Sequence, residues 1–163
     1  MTFPALATIK TGFGGIAISQ QAGLLKIDLF SEPTVSQDPL VQHPIAQHRS
    51  FKQTTQEILA YLQGPHQAFS LPAQLAGSAF QQKVWLAIYA IPLGQTRTYS
   101  ELAAQLQSGP RAVANACGAN RLPLLIPCHR VVAKNGLGGF MRGNKNGLPI
   151  KRWLLTHEGV NEY

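Results

Sequence analysis

The segment LLIPCHRVV, Leu124 to Val132, sets a cysteine between a proline and a histidine-arginine pair inside an otherwise apolar run. A thiol attacks only as its thiolate, and a free cysteine with a pKa of about 8.5 is a few per cent ionised at neutral pH. Fast attack by Cys128 therefore needs a base or cation nearby, and His129 and Arg130 are the nearest candidates. Neighbours in an extended chain face opposite ways, so such a contact requires a turn or a bridging water. Pro127 lacks an amide donor and biases Ile126 towards an extended form, which places the thiol at the end of a constrained segment. The plainer alternative is a buried, inert thiol. Cys117, among alanine and glycine with no base beside it, fits that alternative.

A histidine that serves as a base needs a group to orient it. LPIKRWLLTHEG reads as a helix opened by Pro149 and closed by Gly159, with Ile150, Trp153 and Leu154 as its buried stripe. Glu158 then falls in the last turn, where a carboxylate opposes the helix dipole by roughly 0.3 to 1 kcal/mol. It is either a solvated end or the partner of His129 in a Cys-His-Glu arrangement. Two cysteines without CxxC or histidine-rich spacing make neither a disulfide framework nor a zinc site, and no metal or cofactor is expected.

The elements that must position these residues are well punctuated. Ser78 and Gln81 form a capping box before FQQKVWLAIYA, whose Phe80, Val84 and Ile88 make a stripe ended by Pro92. Thr98 and Glu101 form a second box opening YSELAAQLQ. After SGP, Pro110 suits the first turn of a helix running through RAVANACGA to Asn120, a left-handed cap. Two short helices joined by a tight glycine-containing turn fit a helix-turn-helix or an ordinary helical hairpin. The second helix is built of small residues, with Arg111 and Asn115 as its only long or polar side chains. It lacks the fingers of a major-groove reader; its backbone suits close approach to a narrow groove, or packing on another helix.

The first part reads as strands ATIKT, GGIAIS and LLKIDLF, the last two joined through QQAG, followed by a helix in which Phe51, Ile58, Leu59 and Leu62 recur and Gly64-Pro65 stops the chain. The Pro- and Gly-containing FSLPAQLAGS places a boundary near Leu75, giving domains 1–75 and 76–163. Charge divides there too. Residues 1–75 hold four basic and four acidic side chains, so the net charge of +7 lies wholly in the second part, a footprint for phosphate backbones. With 163 residues, 45% of them hydrophobic, a packed globular core is expected. The start has no signal-peptide pattern and no run reaches the ~18 apolar residues of a membrane span, so a cytoplasmic, nucleoid-associated protein is expected.

AFQQKVWLAIYAIPLGQTRTYSELA, RAVANACGANRLPLLIPCHRVVAKNGLGGF and KRWLLTHEG together resemble the 6-O-alkylguanine-DNA alkyltransferases, also called methylated-DNA-protein-cysteine methyltransferases, over about residues 68 to 163. The resemblance implies an α+β chain: a ribonuclease-H-like small sheet with a helix, then a helical, winged-helix-like helix-turn-helix domain. It implies that Cys128 accepts an alkyl group irreversibly from the exocyclic oxygen of guanine, or of thymine, in a base flipped out of double-stranded DNA. His129 would act as base through a water, Glu158 would hold the imidazole, and Tyr99 would assist the leaving guanine. Asn120 would brace the turn before the cysteine. Arg111 would fill the gap left by the base, with Ala112, Asn115 and Arg130 also on the DNA, the helix lying in the minor groove of a duplex bound by a monomer. In the base pocket, main-chain groups around Cys128 and Val131 would read the base edge beside Phe140 and Met141, Met141 standing where the family commonly has tyrosine, and Arg142 and Lys145 would add phosphate contacts or solvate the loop. A lesion-flagging relative that lacks the cysteine, an alkylation-responsive activator with further modules, and a cysteine hydrolase are the rivals. The retained Cys128, the chain length and the basic helix pair argue against each in turn.

Overall fold

A computed structural model of the chain describes residues 7–31, 40–42, 49–65, 69–143 and 146–163. The expected strands form as β1 (Ala7–Thr11), β2 (Gly14–Gln21) and β3 (Leu24–Phe30), an antiparallel meander. Their period-two pattern turns Ile9, Ile16, Ile18, Ile27 and Leu29 to one buried face. The β2–β3 connection is only two residues, Ala22 and Gly23, both with positive φ (48° and 79°), which suits the twist of a tight hairpin. A fourth strand, β4 (Leu40–Gln42), pairs antiparallel with β1 and gives the sheet order β3-β2-β1-β4. No strand is expected here from the sequence, since three residues are too few to show alternation.

Helix α1 (Arg49–Gln63) ends before Gly64, as its stop signal requires, and packs on β1 and β2 through buried Phe51 and Ile58. In the second part, α2 (Ala79–Tyr89) has the complete Ser78–Gln81 box, and Trp85 Nε1 donates to the Ala116 carbonyl at 2.8 Å, pinning α2 to the helix that carries Ala116. A two-residue strand β5 (Arg97–Thr98) leads through the Thr98–Glu101 box into α3 (Tyr99–Gln105). Helix α4 (Pro110–Gly118) follows a short turn in which Gln107 takes φ 53°. Asn120 is not its left-handed cap: the helix closes at Ala119 in a right-handed conformation, which frees the Asn120 side chain for other partners.

Strand β6 (Val131–Val132) pairs in parallel with β5, so Tyr99 at the start of α3 and the Cys128 turn before β6 come to the same place. Helix α5 (Gly147–His157) begins two residues before Pro149, whose missing donor costs nothing in a first turn. Its buried stripe differs from the expected one. Ile150, Lys151, Leu154 and Leu155 are buried, while Trp153 is partly exposed at the edge, stacked on His157 with centroids 4.8 Å apart. Gly159 at φ 84° and the bonds from Val160 N to Leu155 O and from Gly159 N to Thr156 O complete a Schellman closure, which turns Glu158 inward. Buried residues of the sheet, α1 and the later helices form one continuous core. Among the described residues no helix is long and apolar enough to cross a membrane.

Candidate active site

Pro127 adopts φ −78° and ψ 64°, and Cys128 N donates to the Ile126 carbonyl at 2.7 Å. This is an inverse γ-turn whose φ the proline ring presets. One 3-10 turn, Cys128–Arg130, follows at once and is closed by Val131 N on the Cys128 carbonyl. Upstream, buried Leu124 stands at φ 77°, a strained conformation for a branched residue that only the surrounding core holds in place. Asn120 ties the loop together: its Oδ1 accepts from Leu122 N at 2.9 Å, and its Nδ2 donates to the Ile126 carbonyl at 2.9 Å and to Cys128 Sγ at 3.3 Å. Asn120 and Cys128 are thus brought together.

The turn sends His129 and Arg130 to the same carboxylate. His129 Nε2 lies 2.7 Å from Glu158 Oε1; Arg130 Nε donates to Oε2 at 2.8 Å and Nη2 to Oε1 at 3.0 Å. Arg130 Nη1 donates to the Ile91 carbonyl at 2.7 Å. Arg130 was expected on DNA, and this is a correction: its side chain is 9% exposed and all three guanidinium nitrogens donate within the protein, which turns the group inward rather than to a phosphate. It is also no cationic neighbour for the sulfur. Burial pushes the Cys128 thiol up, against the opposing bond from Asn120 and the charge of Lys151, so the resting group is a protonated thiol that needs a base. Burial holds His129 down despite its bond to Glu158, so the imidazole is neutral, donates from Nε2 and leaves Nδ1 as a buried acceptor with no protein partner. Burial alone would raise the Glu158 carboxyl, but His129 and Arg130 hold it well below the usual carboxylate range.

A cavity of about 190 Å³ opens on Cys128. Tyr99, Phe140 and Met141 line it, as does the Ala114, Cys117 and Gly118 edge of α4. Tyr99 donates to the Gly139 carbonyl at 3.3 Å, and burial raises its phenol, which keeps it a proton donor. Gly138 lets this wall close: a Cβ there would lie 3.0 Å from the Tyr99 ring and 3.0 Å from Ala133 N, at φ 71°. Val131, whose main chain was expected to read the base edge, is not in the cavity wall: its side chain is in the core and its carbonyl accepts from Lys151 Nζ at 2.6 Å. Cys117 departs from its expectation in place but not in chemistry. It is half-buried on the cavity wall, its thiol pushed up to about 12 by burial and by Cys128, and so stays protonated.

Two residues of the site escaped the sequence reading. Lys151 is wholly buried and its Nζ binds the carbonyls of Val131, Leu137 and Gly139, which fixes the loop carrying the far wall. Its place on the apolar face with Ile150, Leu154 and Leu155 was a usable signal. Tyr61 of α1 donates to Glu158 Oε1 at 2.8 Å, and nothing local to its sequence announced that.

On α4, Arg111, Ala114 and Asn115 are exposed and Ala112 partly so, while Val113 and Ala116 face the core. The outward face of small residues therefore runs directly to the cavity mouth. Opposite it, Met141 and Arg142 both take positive φ (51° and 56°), and Arg142 Nε donates to the Gly118 carbonyl at 2.7 Å, latching the loop to the end of α4. Lys145 lies outside the described residues. Replacing Arg142 with Ala is expected to speed amide exchange at Gly143 by roughly three- to tenfold while changing global stability by less than about 0.5 kcal/mol. Unchanged exchange at Gly143 would show that the latch does not restrain the wall.

Residues 79–160 match the family model described as 6-O-methylguanine DNA methyltransferase, DNA binding domain. The chain is 47% identical over 104 residues to a probable methylated-DNA–protein-cysteine methyltransferase of Acanthamoeba polyphaga mimivirus, covering 62% of this chain and 67% of that one. It is 34% identical over 160 residues to the constitutive methylated-DNA–protein-cysteine methyltransferase of Bacillus subtilis, covering 94% of each. Among solved structures, Mycobacterium tuberculosis OGT in complex with DNA superposes with a TM-score of 0.73 at 31% identity, over 93% of this chain and 91% of that one.

Proposed function

The chain belongs to the 6-O-methylguanine DNA methyltransferase family, and from that premise we propose that it repairs DNA by moving an alkyl group from the exocyclic oxygen of guanine to Cys128. The observation that carries this reading is a buried thiol at the base of a cavity whose lip is the exposed small-residue face of α4. The cavity suits one flat base and excludes a duplex, so the base must leave the stack, at a cost of a few kcal/mol that is least for a damaged pair. Helix α4 lies in the minor groove, where its alanines let the backbone approach, and Arg111 fills the gap that the base leaves. Ala112 and Asn115 share that exposed face.

The thiol proton passes through a bridging water to Nδ1 of His129, which lies buried without a protein partner beside the cysteine turn. Glu158 fixes the tautomer that leaves Nδ1 free and offsets the charge the imidazole acquires. Asn120, donating to Sγ, stabilises the thiolate. Sulfur attacks the alkyl carbon, the carbon–oxygen bond breaks, and the departing guanine takes a proton from Tyr99, which His129 in turn makes good. The product is a thioether for which the site has no release chemistry, so each molecule acts once. Phe140 and Met141 wall the base. Every group in this account comes from one chain, which suits a monomer. We further read residues 1–75 as a ribonuclease-H-like domain and 76–163 as a winged-helix-like one, supported by the four-stranded sheet with α1 and by the α2–α4 array with β5 and β6.

The test is to incubate the protein with duplex DNA carrying one methylated guanine and weigh the Cys128 peptide, which should gain one methyl group. Lesion binding with Cys128 unmodified would instead favour a protein that only flags damage. Replacing Arg111 with Ala is expected to slow transfer from duplex DNA by roughly tenfold or more while leaving reaction with a free alkylated base nearly unchanged. Equal losses on both substrates would remove Arg111 from the flipping step.

A further inference from the structure

Tyr61 lies near the end of α1, in the first part of the chain, yet its side chain is 3% exposed and its hydroxyl reaches a carboxylate 97 residues away. Glu158 Oε1, which takes that bond at 2.8 Å, also faces His129 Nε2 at 2.7 Å and Arg130 Nη2 at 3.0 Å. The Tyr61 ring is fixed on both sides, by Phe69 with centroids 5.3 Å apart and by His157 at 5.1 Å, and its carbonyl accepts from His157 Nε2 at 2.7 Å. The hydroxyl thus has a single destination.

A phenylalanine would fill the same space without the need to satisfy a buried hydroxyl. What the hydroxyl adds is a third donor on the oxygen that holds the base. Donors on one carboxylate oxygen compete: each draws negative charge from it and weakens its pull on the others. We propose that Tyr61 is a positioning residue for alkyl transfer, holding Glu158 in place and limiting how strongly that carboxylate raises the basicity of His129. This inference rests on the reading of Cys128 as the alkyl acceptor and of His129 as its base. It makes the first part of the chain a contributor to the chemistry of the second.

The other charges facing His129 and Glu158 are Arg130 from the same turn and Lys151 from α5, both of which oppose protonation of the imidazole. Cys128 adjoins His129 in that turn, and His157 is the titratable group that faces Tyr61. Of these only Arg130 donates to Oε1, through a bond already made beside that of the phenol, so removal of the phenol leaves His129 with a larger share of the carboxylate charge.

The experiment follows the rate of Cys128 alkylation by a free 6-O-alkylated guanine base against pH, in the wild type, in Tyr61→Phe and in Tyr61→3-fluorotyrosine. The imidazole signals of His129 are titrated by NMR in the same three proteins. With Phe, the acidic limb of the rate profile and the His129 titration should both move up by roughly half to one pH unit. Fluorotyrosine, a stronger donor, should move both down. Superimposable profiles and titrations in all three proteins, with only a loss of stability in Tyr61→Phe, would overturn the proposal and leave Tyr61 a structural tie. If wild-type Cys128 is never alkylated, the functional reading falls, and the NMR titration still decides whether Tyr61 tunes His129. Should Tyr61→Phe fail to fold, the fluorotyrosine shift decides alone.

Discussion

Cys128→Ser is expected to abolish alkyl transfer while retaining the fold and the binding of alkylated DNA. A serine hydroxyl ionises far above the range that the His129 imidazole can serve, so proton removal no longer yields a useful nucleophile. A loss of at least about 10⁴-fold follows from removing the attacking atom. The fold survives because Asn120 Nδ2, now 3.3 Å from sulfur, can donate equally to oxygen, and the hydroxyl remains hydrogen-bonded in its turn. Burying it costs roughly 1–3 kcal/mol. The measurements are peptide masses after exposure to methylated duplex DNA and binding by fluorescence anisotropy. Residual transfer onto Cys117, which shares the cavity wall, would show that the cavity rather than the Cys128 turn selects the acceptor.

Glu158→Gln is expected to destabilise the protein by about 3–5 kcal/mol, a large part of the 5–15 kcal/mol that holds an ordinary domain together. Both carboxylate oxygens accept, from Tyr61, His129 and two nitrogens of Arg130, and an amide turns one of these acceptors into a donor facing donors. The Arg130 charge is then buried without its counter-charge. Transfer should fall by about 10²–10⁴-fold, because the imidazole loses the group that fixes its tautomer. The pH dependence gives an independent check. Glu158 titrates in the fold well below its unfolded value near 4.3, so its contribution is fully present above that pH and is lost as pH falls through the acid range. Chemical denaturation from neutral pH downward should show this acid loss in the wild type and a flatter curve in Glu158→Gln. Equal slopes would mean that the carboxylate is not held by its partners in solution.

What could be read from the sequence was local. The Ser78 and Thr98 boxes, Pro110 at a first turn and Gly159 after a last one announce themselves within four residues, because a cap satisfies amides of its own helix. The meander was legible because alternation survives wherever a sheet has one buried face. Arg130 was expected on DNA from the resemblance, whereas the 3-10 turn after the Pro127 γ-turn folds it onto Glu158, a partner 28 residues away that no local pattern announces. The place of Cys117 on the cavity wall was not legible although Ala114, Cys117 and Gly118 have the spacing of one helix face; that face could not be assigned to a cavity before the opposing loop was placed. The β5–β6 pair is two residues long, too short to leave a pattern, yet it sets Tyr99 against the cysteine turn. Tyr61 and Leu124 depend on the assembled core: one on a partner 97 residues distant, the other on packing that sustains a strained backbone.

The ties meeting on Glu158 also govern when the chain becomes chemically competent. Tyr61, His129 and Arg130 all precede Glu158 in the sequence, so during synthesis the carboxylate is the last of the group to leave the ribosome. None of its bonds forms usefully alone, since the carboxylate can be taken out of water only when its donors are already gathered. Assembly of the buried cluster around Glu158 therefore waits on α5 and its Schellman closure, however early Tyr61 and the Cys128 turn have formed.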